Sequence, residues 1–378
     1  MSKKRRAPSR GRDGKRTPRT ETIGARFGRV PPILLASGAV VVLGVLAAGV
    51  LFLTGLWGNR GGPAATSADQ ARLRPPGTSE RRAAKIDATG RLLLVLQSGL
   101  SLVTLPDRQE RLLVPTASRA LVTSARWRPD GRAAAYALVQ WRPGEAAAQS
   151  AIYLTDLTVD PQPLIQDDRP KAILEAPAWS PDGTALYFAS TVTENQQSVQ
   201  RLERFDLASR TRTPLGEGFS PDVSPDGGLL AVVRYAGVDP VLVLLRSDGT
   251  LVRTLIGPGR FTLIGSPRFS PDGQQIAVAL AKPPGSAWEP SPHAPFAIFD
   301  TPIAQAHGNP SEVYVLDVAG GQPQRLTSIA EDEPAVTWSP DGSTVAVYAT
   351  RGLHLVDRQG RTTLALDGGG YGGLDWAP

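Results

Sequence analysis

The sequence predicts an all-β fold, a six-bladed β-propeller closed by pairing of its N- and C-terminal strands and preceded by one transmembrane helix. Three observations carry this prediction. One turn motif recurs five times, a partial copy lies at each end of the repeat region, and a long uncharged stretch precedes that region. The composition agrees, because 39 Gly and 34 Pro in 378 residues favour a turn-rich fold.

The recurring motif is an apolar anchor, a turn typified by Ser-Pro-Asp-Gly, and an alternating apolar strand. The anchors are Trp127, Trp179, Val223, Phe269 and Trp338, with spacings of 52, 44, 46 and 69 residues. Proline presets φ at the first turn position, and glycine adopts the left-handed conformation that closes a tight hairpin. Two further predicted strands follow each motif. Four antiparallel strands at this period predict one propeller blade per repeat.

The ends of the repeat region predict a sixth blade. Leu374 to Pro378, "LDWAP", match an inner strand and the start of a turn, while Asp87 to Gly90, "DATG", stand where a turn belongs. Joining the two ends closes the ring and removes the exposed edges of an open array. The residues to which we assign a structural role in the repeat are Trp127, Asp130, Gly131, Trp179, Pro181, Asp182, Gly183, Pro225, Asp226, Gly227, Phe269, Pro271, Asp272, Gly273, Trp338, Pro340, Asp341, Gly342 and Trp376.

These repeats resemble the WD40-like (PD40) repeats of the TolB-like six-bladed propellers. The resemblance covers nearly all of residues 87–378. It implies the fold, but it does not imply one function. Propellers of this kind serve as binding proteins, as noncatalytic domains of prolyl-oligopeptidase-type peptidases and, in a few cases, as lyases.

The segment before the repeats predicts a membrane anchor. Residues 30–57 hold no charge, and 15 of these 28 residues are Val, Ile, Leu or Phe. A helix of this length extends about 42 Å, more than the ~30 Å hydrocarbon core of a bilayer. A cleaved signal peptide is the alternative, but its apolar region is usually shorter, about 7 to 15 residues.

The flanking segments predict how the chain is oriented. Residues 1–29 hold 11 Lys or Arg and 2 Asp or Glu, which the positive-inside rule places in the cytoplasm. Residues 58–86 are rich in Gly, Pro and Ala and read as a flexible linker. We therefore expect a single-pass protein of the cytoplasmic membrane, with its propeller on the periplasmic or extracellular side.

The charge of the predicted propeller argues against a nucleic-acid partner. Residues 87–378 hold 24 basic and 31 acidic side chains, a net charge of −7, so the basic excess of the chain lies entirely before the propeller. Binding to nucleic acid draws most of its affinity from basic side chains that neutralise phosphates. We expect no nucleic-acid partner for this domain.

The sequence lacks the common catalytic and cofactor motifs. It contains no cysteine and no G-x-S-x-G, and the Gly-rich "GGGYGG" near the C-terminus has no βαβ unit around it. The chain has three histidines, His293, His307 and His354. In lyases on similar propellers several histidines from different blades hold a metal, a pattern that this chain does not reproduce. We expect no catalytic residue, no cofactor and no metal site.

The loops that break the repeat are the predicted recognition sites. The loops between the second and third strands of each blade project from one face, and they are long in the second blade and at Lys282 to Pro310 in the fifth. Long insertions in a compact domain often carry function. The candidate partner-binding residues are Trp141, Trp288, Phe296 and Phe299. The alternative is that these aromatic side chains pack inward over the blade edge.

Three functional hypotheses remain open from the sequence. The first is a membrane-anchored, extracytoplasmic, noncatalytic binding or scaffold module for a protein or glycan partner on the long-loop face. The second is an enzyme of lyase or hydrolase type that uses carboxylates in the central channel. The third is an accessory subunit of a membrane complex, assembled partly through the transmembrane helix.

Overall fold

The computed structural model describes residues 86–116, 118–141, 148–157, 161–167, 169, 172–194, 197–283 and 310–377. Within these residues, 24 strands form six four-stranded antiparallel sheets, which confirms the predicted all-β six-bladed propeller. The predicted tail (1–29), transmembrane helix (30–57) and all but the last residue of the linker (58–86) lie outside the described residues. No helix among the described residues is long and apolar enough to cross a membrane.

The blades follow the chain in order, and each inner strand lies nearest the axis. The first blade consists of β24 (Leu374–Ala377), β1 (Gly90–Leu96), β2 (Gly99–Leu105) and β3 (Gln109–Pro115). The second consists of β4 (Ala120–Trp127), β5 (Ala134–Gln140), β6 (Gln149–Thr155) and β7 (Gln162–Gln166). The third consists of β8 (Ile173–Trp179), β9 (Ala185–Glu194), β10 (Gln197–Asp206) and β11 (Arg212–Glu217).

The remaining three blades repeat this order. The fourth consists of β12 (Phe219–Val223), β13 (Leu229–Ala236), β14 (Asp239–Arg246) and β15 (Leu251–Ile256). The fifth consists of β16 (Leu263–Phe269), β17 (Gln275–Ala281), β18 (Ser311–Asp317) and β19 (Gln324–Arg325). The sixth consists of β20 (Ala335–Trp338), β21 (Thr344–Ala349), β22 (Gly352–Asp357) and β23 (Thr362–Asp367).

The first blade closes the ring. Strand β1 pairs antiparallel with β24, so that Leu92 lies opposite Trp376 and Leu94 lies opposite Leu374. Each inner strand contacts the inner strands of both neighbouring blades, and β24 lies between β20 and β4. The turns between first and second strands therefore lie on one face, here called the turn face. The connections that enter the inner strands, and the loops between second and third strands, lie on the opposite face, here called the loop face.

The anchor of each motif packs against the blade that precedes it. Trp179 lies in a core cluster with Ala137 and Ile152 of the second blade, and Trp376 lies in one with Tyr348 of the sixth. Burial of an aromatic side chain removes a large apolar area from water, roughly 150 to 250 Å². The anchors therefore stabilise the interfaces between blades, which explains why they recur once per blade.

The turn that follows the anchor is held by its own side chains. In the third blade Ser180 Oγ donates to Asp182 Oδ1 at 2.6 Å. Asp182 Oδ1 also accepts the backbone N–H of Thr184 at 3.0 Å. These bonds lower the pKa of Asp182 to about 2, the serine hydroxyl being the main cause. The turn glycines of the five full motifs have φ between 64° and 74°, a left-handed conformation that side chains rarely adopt.

The turn of the second blade differs from this pattern, and the residue that differs contacts the next blade. Arg128 stands where the other turns have serine, and its guanidinium lies 5.9 Å from the ring centre of Trp179 in the next blade. In the same way Arg91 of the first blade lies 4.9 Å from the ring centre of Trp127 and donates to the carbonyl of Gly131 at 2.9 Å. Contacts between a guanidinium and an aromatic face thus link the first three blades in sequence.

Candidate functional site

The candidate site lies on the axis, where the residues immediately before the six anchors occupy equivalent positions of the inner strands. We call this set the axial ring. In blade order its members are Asp375, Arg126, Ala178, Asp222, Arg268 and Thr337.

One guanidinium joins opposite sides of the axial ring. Arg126 NH2 lies 2.6 Å from Asp222 Oδ1, and Arg126 NH1 lies 3.1 Å from Asp375 Oδ1. The two aspartates belong to the fourth and first blades, which face each other across a six-bladed ring. All three side chains are nearly buried, with exposed fractions of 9%, 12% and 13%. Arg126 therefore crosses the channel and narrows it at this level.

The other oxygen of each axial carboxylate binds the backbone of the following blade. Asp375 Oδ2 accepts the N–H of Trp127, and Asp222 Oδ2 accepts the N–H of Phe269, each at 2.7 Å. Burial acts to lower the pKa of Arg126, but the charges and hydrogen bonds of both aspartates outweigh it and raise that pKa. The axial carboxylates are thus tied to a cation and to two anchors, which is a structural arrangement.

A third carboxyl group on an inner strand has a different environment. Glu175 lies on β8, three residues before the axial ring, and Thr191 Oγ1 donates to its Oε1 at 3.4 Å. Enclosure by protein raises the pKa of Glu175 to about 7, and the threonine bond offsets only part of that effect. A carboxyl group that titrates near neutrality is suited to general acid or base chemistry. Glu175 was not among the residues predicted from the sequence, although a charged residue on a predicted inner strand was a signal that could have indicated it.

Acidic and aromatic side chains meet on the loop face between the fifth and first blades. Tyr371 is 45% exposed and donates its hydroxyl to Asp332 Oδ2 at 3.1 Å. Burial of the hydroxyl and the nearby acidic groups raise the pKa of Tyr371 to about 12. The pKa of Glu333 is also raised, by burial and then by the charge of Asp332. This part of the loop face is therefore negatively charged and accessible.

The predicted partner-binding residues are only partly described. Trp141 is half-buried at the loop-face end of β5, and its backbone N–H donates to the carbonyl of Arg119 at 2.8 Å. Trp288, Phe296 and Phe299 lie outside the described residues. The structure therefore neither brings the four aromatic residues together nor separates them.

Of the three histidines, the structure describes one. His354 lies on β22, and its Nε2 is 3.7 Å from Glu331 Oε1. His293 and His307 lie outside the described residues. Within the described part of the chain, no three His, Asp or Glu side chains are grouped to hold a metal ion.

Comparison with known proteins shows that the propeller is similar to TolB. No family model matches the chain. The protein TolB homolog of Chlorobium luteolum is 28% identical over 159 residues, which is 42% of this chain and 30% of that protein. The crystal structure of TolB from Acinetobacter baumannii matches with a TM-score of 0.57 at 22% identity, over 76% of this chain and 67% of that one. The chain carries a TolB-like six-bladed β-propeller.

A second solved structure with a similar fold is a chain of a nidogen/laminin complex. It matches with a TM-score of 0.55 at 14% identity, over 76% of this chain and 98% of that chain. At these identities the structural matches show the fold alone. The chain aligns with less than one third of the curated TolB homolog, so the activity and partners of that whole protein do not transfer with the TolB-like fold.

Proposed function

We propose that this protein is a membrane-anchored propeller that binds a protein partner outside the cytoplasm through its loop face, without catalysing a reaction. Residues 30–57 form the anchor, residues 58–86 the linker, and residues 87–378 the binding module. The loop-face residues we assign to recognition are Trp141, Trp288, Phe296 and Phe299.

The observation that carries this proposal is that both axial carboxylates are already engaged in structural contacts. Asp222 and Asp375 are bound to Arg126 and to the backbone of the next blade, so they hold blades together. Carboxylates committed in this way are poor nucleophiles or bases, because proton transfer would break a buried ion pair. We therefore assign recognition of the partner to the loops, which differ from blade to blade.

Two further observations support a protein as the partner. The loop face exposes Tyr371, at 45%, beside the acidic side chains of Asp332 and Glu333, and it exposes Val238, at 67%, in the turn between β13 and β14 of the fourth blade. Exposed aromatic and apolar groups with a charged rim are typical of protein interfaces. The nidogen/laminin complex, one chain of which has a similar fold, is itself an assembly of proteins.

A second candidate function has one specific observation in its favour. Glu175 lies on an inner strand with a pKa of about 7 and, among the described residues, forms no ion pair with a cationic side chain. An enzyme of lyase or hydrolase type could use this carboxyl group as its acid or base. Turnover of an oligosaccharide or peptide by the full-length chain, lost in E175Q, would establish this alternative and contradict the noncatalytic proposal.

Affinity capture with the full-length chain tests the loop-face proposal. Tagged protein is purified in mild detergent from membranes of its own host, and co-purifying proteins are compared with those of the double variant W141A and W288A. We expect a specific partner to be lost with the double variant and kept with R132A, a change on the turn face. Retention of that partner by the double variant contradicts the loop-face assignment.

Two controls distinguish this proposal from the accessory-subunit and glycan-binding alternatives. If an unrelated transmembrane helix replaces residues 30–57 and the partner is lost, the protein is an accessory subunit assembled through its span. If capture fails with proteins and succeeds on a glycan array, the partner is a glycan. Protease added outside intact cells is expected to cleave the propeller or linker, and complete protection contradicts the predicted topology.

A further inference from the structure

The axial ring has an approximate two-fold repeat. Read in blade order, it runs Asp, Arg, Ala and then Asp, Arg, Thr. The two aspartates act alike, because each accepts the anchor N–H of the following blade at 2.7 Å: Trp127 for Asp375 and Phe269 for Asp222. If the repeat were complete, each arginine would pair with the aspartate of its own half.

The two arginines of the axial ring do not follow this two-fold repeat. Arg126 pairs with Asp375 of its own half and also takes Asp222 Oδ1, which belongs to the half of Arg268. Arg268 donates from NH1 to the carbonyl of Pro267 at 2.9 Å. Its Nε is buried and has no hydrogen-bond partner among the described residues. Among the described residues, the guanidinium of Arg268 therefore has no carboxylate within ion-pair distance, unlike that of Arg126.

The surroundings of Arg268 favour an added anion. Burial, followed by the positive charge of Arg126, lowers the pKa of Arg268 to about 9 despite the opposite effect of Asp222 and Asp375, so the side chain stays charged at neutral pH. A cation in this position is costly unless its donors are satisfied. Arg126, Asp222 and Asp375 are buried, whereas Arg268 is only half-buried, so the accessible side of the axial ring lies at Arg268.

We propose that Arg268 binds a carboxylate group in the axial channel, beside Thr337. A planar guanidinium presents paired N–H donors that match the two oxygens of a carboxylate. A monoanion is favoured over phosphate, because Asp222 and Asp375 lie in the same ring and would repel a second negative charge. The ring lies one residue before the anchors, toward the turn face, so this site is separate from the loop-face surface assigned to partner binding.

The carboxylate could come from a small free acid or from an acidic side chain of a protein. Binding of either is measured with the full-length chain in detergent, by the rise in melting temperature that a ligand of the folded state produces. Acetate is compared with chloride at equal ionic strength. A terminally blocked peptide with one Asp is compared with its Asn counterpart. Saturable stabilisation by acetate identifies a small-acid site, and stabilisation by the Asp peptide alone identifies a protein source.

Variants of Arg268 decide whether the site is the one proposed. Loss of a charge-assisted bond to the anion is expected to weaken the apparent affinity by about tenfold or more in R268Q. R132Q, which removes an exposed arginine on the turn face, is expected to leave the affinity unchanged. If R268Q does not fold, R268K serves instead, since it loses the paired donors of the guanidinium, and weaker binding is expected.

Two results overturn this inference. One is a wild-type protein that neither acetate nor the Asp peptide stabilises more than chloride or the Asn peptide. The other is binding that persists at wild-type strength in R268Q or R268K. Neither result bears on capture of a partner by the loop face, which depends on other residues.

Discussion

Arg126 NH2 lies 2.6 Å from Asp222 Oδ1, although the strands that carry them, β4 and β12, are separated by the whole third blade. The same guanidinium reaches Asp375 of the first blade, and Thr337 of the sixth donates to that aspartate at 3.4 Å. Because Asp222 also accepts the N–H of Phe269, five of the six blades share one network of hydrogen bonds. The network couples blades that are not neighbours in the ring, such as the second and the fourth.

Removal of Arg126 is expected to destabilise the propeller strongly. In R126Q two buried carboxylates lose their cation, and breaking a buried ion pair from one side costs about 3–5 kcal/mol. The measurement is the free energy of unfolding from urea denaturation of the full-length chain. R132Q, which changes an exposed arginine, is expected to stay within about 0.5 kcal/mol of wild type.

The two axial arginines are expected to be coupled. When Arg126 is absent, Arg268 is the cation left near Asp222, so the double variant R126Q and R268Q is expected to lose more stability than the sum of the single losses. Coupling between neighbouring charges is typically about 0.5–3 kcal/mol. Strictly additive losses would show that Arg268 does not take the place of Arg126 beside Asp222.

The blades were predictable from sequence because their determinants are local. An anchor, a turn and an alternating strand lie within about fifteen residues of one another, and their recurrence fixes the number of blades. The joining of "LDWAP" with "DATG" followed from the same pattern, and β24 pairs with β1 as predicted.

The axial network was not predictable in the same way. Its members, such as Arg126 and Asp375, are up to 249 residues apart, and they meet only when the ring closes. Sequence places each of them next to an anchor, but it does not decide which arginine pairs with which aspartate. The same is true of Glu175, whose raised pKa depends on how the surrounding blades enclose it. The period of the sequence repeat predicts the blades, whereas the ion pairs and the pKa shifts depend on contacts that form only in the closed ring.

The turn serines are expected to control the pKa of the turn aspartates. In S180A the main hydrogen bond to Asp182 is lost, so its pKa is expected to rise from about 2 toward its ordinary value. A carboxyl with a lowered pKa stabilises the fold above its unfolded pKa and loses that effect as the pH falls. The turn in S180A should therefore be less dependent on pH between about 4 and 2. Carbon NMR of the Asp182 carboxyl measures the change, and S224A, in the next blade, is expected to leave Asp182 unaffected.

Glu175 is expected to make stability depend on pH in the opposite direction. Its pKa is raised from 4.5 to about 7 in the folded protein, so the charged form is disfavoured. The destabilisation is absent at pH 4, grows as the pH rises toward 7 and is complete at pH 8. E175Q is therefore expected to be more stable than wild type at pH 8, by about 1–3 kcal/mol, and similar at pH 4. Equal stability of the two proteins at pH 8 would mean that Glu175 is not enclosed as described.

Replacement of a turn glycine by alanine is expected to destabilise the fold. Gly227 has φ of 74°, so an alanine there would carry a strained backbone even though space is sufficient. G227A is expected to lose about 1–2 kcal/mol of stability. The matched control is G257A, because nothing lies near Gly257 and its backbone is not in the left-handed region. If both variants unfold at the same urea concentration, the turn does not require glycine.

Site-specific photo-crosslinking tests the central proposal, recognition through the loop face, most directly. A photoreactive amino acid replaces Gln140, the exposed residue before Trp141 on the loop face, or Arg132 on the turn face of the full-length chain, and intact cells are irradiated. We expect a defined crosslinked protein from position 140 and none of the same mass from position 132. Crosslinking of that protein from the turn face alone would contradict the proposal that the loop face binds the partner.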